Sequence, residues 1–127
     1  MKIKINQLHE NQDELLVTFC SPIGNGIALW SGIKPTIGET LYVELDIDET
    51  FSWQKNIFLS PANKSLITVI NGTVKITAKL IQGTEYKCAA LKLDDSIILI
   101  ELEDPSPQGS EFVQISTRKL YLHPVYM

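Results

Sequence analysis

Leu-Tyr-Val-Glu-Leu-Asp-Ile-Asp, residues 41–48, alternates aliphatic side chains with polar or aromatic ones through every position. Leu41, Val43, Leu45 and Ile47 fall on one face, and Tyr42, Glu44, Asp46 and Asp48 on the other. A period of two marks a half-buried β-strand. The same pattern lines up three carboxylates on one face, an arrangement that like-charge repulsion disfavours. Such a row calls for cations nearby, either within the sheet or on a partner.

Strand patterns continue on both sides of this stretch. Upstream, residues 2–8 place Ile3 and Ile5 opposite Lys2, Lys4 and Asn6, and a polar turn follows at 9–13. Residues 14–20 are apolar on both faces, as in an interior strand. Pro22 and Gly24-Asn25-Gly26 read as the turn that ends it, before a short strand over 27–30 and a loop over 31–38 punctuated by Pro35 and Gly38. Downstream, 49–56 reads as a long connection and 57–59 as a short strand. The clearest signal is a hairpin: 66–70, then Asn71-Gly72, then 73–82, because Asn-Gly suits the two positive φ values of a type I′ turn. Its outgoing arm turns Val74, Ile76, Ala78 and Leu80 inward. Thr73, Lys75, Thr77 and Lys79 then form an outer face whose lysines are the expected cross-sheet counterweight to the carboxylates. Gly83-Thr84 turns the chain into a strand over 85–93, where Tyr86 and Cys88 disagree in parity with Leu91 and Leu93. A β-bulge at Ala89-Ala90 reconciles them. Residues 96–103 are apolar on both faces up to Glu101, 104–110 are loop-like, and 112–115 and 119–122 complete the series.

About nine short strands without a helical period predict an all-β fold. A single antiparallel domain spanning 1–127 is expected, because the chain is long enough to bury a core without disulfides or metal. A small β-barrel, OB-like or related, is preferred to the alternative two-sheet β-sandwich, since strands apolar on both faces fit poorly at an open edge.

Charge and composition narrow the function classes. A net charge of −4 and a pI near 5.1 argue against a partner held through phosphates and favour a basic protein. Nucleic acid is therefore not the expected partner, and the absence of an apolar N-terminal segment or a long apolar run points to a cytoplasmic protein with no membrane partner. Cys20 and Cys88 lack CxxC spacing and read as buried reduced thiols.

No motif for a cofactor, metal or catalytic centre stands out. Carboxylates on alternate strand positions are too linear to wrap a cation, and no EF-hand glycine follows them. Gly24-Asn25-Gly26 lacks the third glycine and the following helix of a dinucleotide site. A cysteine paired with His9 or His123 is the remaining catalytic option, with no nucleophile elbow around either cysteine. The candidate partner-binding residues are Tyr42, Glu44, Asp46, Asp48, Glu49, Phe51 and Trp53, acidic and aromatic side chains adjacent in sequence. Against this stands a solvated strand face, with Phe51 and Trp53 folded back over a barrel end. The class that suits such a chain best is a non-enzymatic binding module, in particular an inhibitor that neutralises a basic enzyme, toxin or nuclease, as an immunity protein does. The alternative is an OB-like binder of nucleic acid or oligosaccharide, and a small hydrolase comes third.

Overall fold

The computed structural model describes residues 1–82, 87–104 and 111–126, with Gln82 described by its backbone alone. They form β1 (Lys2–Asn11), β2 (Glu14–Ser21), β3 (Gly24–Trp30), β4 (Thr40–Ile47), β5 (Thr50–Phe51), β6 (Ile57–Leu59), β7 (Leu66–Ile70), β8 (Thr73–Gln82), β9 (Cys88–Leu93), β10 (Ser96–Leu102), β11 (Glu111–Thr117) and β12 (Leu120–Pro124). No described residue is helical. The Gly83-Thr84 turn, Tyr86 and most of the expected 104–110 loop lie outside the described residues.

Five of the strands close on themselves. β4, β1, β2 and β3 pair in that order, and β12 joins the two ends by pairing with β3 through Tyr121 and Leu122 and with β4 from Leu120 to Pro124. The result is a small barrel rather than a sandwich, with the cyclic strand order of an OB-like Greek key. Its β3–β12 seam is parallel, as are the β3–β7 and β5–β10 pairings, so the sheet is mixed where an antiparallel one was expected. The β3–β12 seam follows from the odd strand number: with β12–β4, β4–β1, β1–β2 and β2–β3 all antiparallel, the fifth contact that closes the ring has to be parallel.

That excursion forms a second row, β6–β11–β8–β9–β10–β5, whose ends are tied by a bridge between Trp53 and Ile57. β8 is its spine. β11 runs along one edge of β8, and the other is shared by β7 over the first half and β9 over the second. Both rows contribute to one cluster of buried side chains, from Ile5, Val17 and Phe19 in the barrel to Ile76, Leu91 and Ile115 outside it.

The expected parity of β4 holds: Val43, Leu45 and Ile47 are buried while Tyr42, Glu44 and Asp46 face solvent. The hairpin holds as well, with φ of 52° at Asn71 and 77° at Gly72 and with Ile70 paired to Thr73. Val74, Ile76, Ala78 and Leu80 are buried as expected, but Thr77 on the other parity is buried too.

Other details differ from the sequence reading. Gly24-Asn25-Gly26 is no turn, because these residues open β3 opposite Ser21, Cys20 and Phe19. A Cβ at Gly24 would collide with the Ile67 carbonyl, and one at Gly26 with the Phe19 ring, so the glycines serve close packing. The ladders on both edges of β9 run without a bulge at Ala89-Ala90; the irregularity lies instead between Ile5 and Gln7 in β1. Cys88 is exposed and Cys20 half-buried, both as free thiols. The connection after β4 contains β5, where pairing of Thr50 with Glu101 and of Phe51 with Leu102 turns Phe51 into the core.

Candidate functional site

The seven candidate residues separate into two groups. Tyr42, Glu44, Asp46 and Asp48 share the exposed side of β4 and its continuation. Phe51 is fully buried, and so cannot reach a partner. Glu49 is half-buried and accepts hydrogen bonds from Thr117 Oγ1 at 2.7 Å and Asn56 Nδ2 at 3.3 Å, which makes it a tie between β11, the 52–56 turn and the end of β4. Trp53 packs partly against the core and donates from its indole N–H to the Asp104 carbonyl at 3.0 Å. Phe51, Glu49 and Trp53 therefore anchor the chain after β4, with Phe51 and Trp53 folded back on β10 and β6 rather than over a barrel end.

The lysines expected to balance the carboxylates are elsewhere. On β8, Lys75 faces Thr68 and Ser116, and Lys79 faces Lys92 and Phe112. The strand beside the acidic row is β12, which sets His123 opposite Glu44 and Tyr121 opposite Asp46. Among the described residues the one basic side chain in contact with this row is that of His123, its Nε2 3.8 Å from Asp46 Oδ2, and no lysine or arginine side chain bonds to Glu44, Asp46 or Asp48. The carboxylates are thus a solvated face that no lysine or arginine side chain among the described residues neutralises.

A cleft runs beside them. It measures about 970 Å³ and lies between β4 and β10, lined by Tyr42, Glu44, Asp46, Asp95, Ile97 and Leu99 among others, with no lysine or arginine in its walls. Leu99 is 74% exposed, Ile97 54% and Tyr42 46%, a concentration of large apolar side chains in water that monomeric surfaces usually avoid. Sequence reasoning missed Ile97 and Leu99, since β10 is apolar at almost every position and so reads as buried on both faces. The ladders show the real division: Ile98 and Ile100 face the core, while Ile97 and Leu99 stand outside with Lys92 and Ala90.

No three histidine, cysteine, aspartate or glutamate side chains gather as a metal site among the described residues. Cys88 and His123 line different clefts, and no hydrogen bond joins either cysteine to a histidine among the described residues. No helix of the described residues is long and apolar enough to cross a membrane, which says nothing of spanning by strands. Comparison with family models, curated proteins and solved structures returns no match to this chain, so its own geometry is the guide to its function.

Proposed function

We propose that this chain is a non-enzymatic binding module that docks a basic protein surface in the cytoplasm, and that it acts as an inhibitor of that partner, in the manner of an immunity protein for a toxin or nuclease. The observation that carries this reading is the combination beside β4 of carboxylates bonded to no lysine or arginine side chain with the exposed Tyr42, Ile97 and Leu99. Carboxylates steer a cationic surface into place, and the apolar side chains give area to bury once it arrives.

The OB-like nucleic-acid reading has less to stand on. OB barrels bind on the face of their second and third strands, and here that face carries Leu16, Thr18, Cys20, Ile27 and Leu29, with no lysine, arginine or exposed aromatic residue.

The test is affinity capture from lysate of the source cells with the wild-type chain and with a Glu44→Lys/Asp46→Lys variant, followed by assay of the captured protein's activity. Both positions face water, so the variant should melt within about 0.5 kcal/mol of wild type. It should lose a basic partner that the wild type holds, and the wild type should suppress that partner's activity in proportion to occupancy. A folded variant that captures the same partner equally well would remove the acidic row from function.

A further inference from the structure

Where β10 faces the cleft, one of its backbone edges has no strand on it among the described residues. Along β10, the Leu102 amide donates to the Lys87 carbonyl at 2.8 Å, so by the alternation of an antiparallel ladder the amides and carbonyls of Ile98 and Ile100 also point to β9. Those of Ile97 and Leu99 then point the opposite way, to the side where Glu103 donates to the Phe51 carbonyl at 2.9 Å. β5 covers that edge only at Glu101 and Leu102. Along β4, the Val43 amide donates to the Met1 carbonyl at 2.8 Å and the Asp48 amide to the Lys119 carbonyl at 3.5 Å, which directs Leu45 toward the β1 side and Asp46 toward β12. Met1 continues β1 along this edge as far as Val43, its ammonium donating to the Val43 carbonyl at 2.9 Å. β5 thus covers one end of this β10 edge, and past it no strand pairs with the Ile97 and Leu99 backbone among the described residues.

We propose that this opening takes an extended segment of the partner protein as an added strand, hydrogen-bonded to Ile97 and Leu99 on β10. The inference rests on the partner-binding reading above and gives it a mode. Main-chain bonds to an open edge supply affinity in such β-augmentation, and alternate side chains supply specificity. The occupant's chemistry follows from the walls. Three carboxylates, Glu44, Asp46 and Asp95, line the opening and outnumber the Met1 ammonium in the same walls, so the outward positions of the segment carry lysine or arginine. Their aliphatic stems can lie on Ile97 and Leu99 while the charged heads reach the carboxylates. The inward positions meet Val43 and Leu45 and are apolar. A volume of about 970 Å³ is at the upper end of the roughly 300–1,000 Å³ of ligand clefts.

The probe is a synthetic peptide alternating lysine and valine, added to the intact isotope-labelled chain while amide exchange is followed by NMR. Exchange at Ile97 and Leu99 should slow on binding, whereas amides on β2 and β3 should not respond. Methylating alternate backbone nitrogens of the peptide should weaken binding by at least about tenfold, since charge and side chains persist while one row of donors is lost. An alternating glutamate and valine peptide should not bind. Salt-sensitive binding that needs Glu44 and Asp46, yet ignores backbone methylation and leaves the Ile97 and Leu99 amides unprotected, would overturn strand addition and leave the acidic docking face standing. A lysine and valine peptide with no effect at millimolar concentration would also overturn it, and lysate capture would judge the docking reading separately. Slowed exchange at these amides without peptide, growing with protein concentration, would overturn it in favour of a second copy of this chain.

Discussion

Gly24 and Gly72 both hold positive φ, at 132° and 77°, but only Gly24 is also pressed against a neighbouring backbone. Alanine at Gly72 has open space around its methyl group and meets only the cost of a left-handed conformation, about 1 kcal/mol. Alanine at Gly24 meets a comparable conformational cost and must also displace the Ile67 carbonyl from the one residue pair that joins β3 to β7. Gly24→Ala should therefore lower stability by about 3 kcal/mol or more in urea unfolding, against about 1 kcal/mol for Gly72→Ala. Equal losses would show that close packing at Gly24 has no energetic weight. The pair also marks what can be read at this scale. Asn71-Gly72 was legible because two residues suffice to specify its turn, whereas Gly24-Asn25-Gly26 needed the position of Ile67, more than forty residues away, to be told from a turn. Side-chain parity on β4 was legible for the same local reason. Which cations would face it was not, because that depends on the strand alongside, and the neighbour is β12 with His123 rather than β8 with its lysines.

At the scale of elements, the long alternating strands declared themselves and the short ones did not. β5 is two residues long and owes its existence to the edge of β10, so nothing in Thr50 and Phe51 alone announces it. The aromatic side chain looked like a surface contact because its flanking residues are polar. Parallel pairing instead sets Thr50 beside Glu101 in water, with its hydroxyl 3.4 Å from Oε2, and sends Phe51 inward. Phe51→Ala should then cost about 3–5 kcal/mol, the usual loss for a buried phenylalanine. A change within about 0.5 kcal/mol, typical of surface positions, would return Phe51 to the partner-binding face. β10 carries the opposite lesson. Continuous apolar sequence cannot say which face is covered, and in this strand the uncovered one, Ile97 and Leu99, lies beside the acidic row and completes the candidate site.

For the whole molecule, a strand-rich fold and a closed barrel followed from pattern and turn spacing, but strand order is set by pairings between distant residues that no local window contains. The consequence is an architecture in which five strands close a barrel while the others form a row of their own, joined to it through β3–β7 and the chain leaving β4. Two such rows could unfold separately. The buried cluster argues otherwise, since it passes from Ile3, Ile5 and Val43 to Ile98, Leu102 and Val113 without a gap, and exposing either part would strip apolar surface from the other. Trp30 reports on the barrel, where its indole donates to the Ile33 carbonyl at 2.8 Å, and Trp53 reports on the second row, where it bridges to Ile57. Trp53→Phe and Trp30→Phe variants each leave one reporter. In both, the urea transition followed by fluorescence should coincide with that followed by far-UV circular dichroism, in midpoint and in slope, as one cooperative unit requires. Should Trp53 lose its native signal at lower urea than the bulk of the strand signal, the second row would be a separately melting layer. The cleft between β4 and β10, with one wall from each row, would then open before the barrel does.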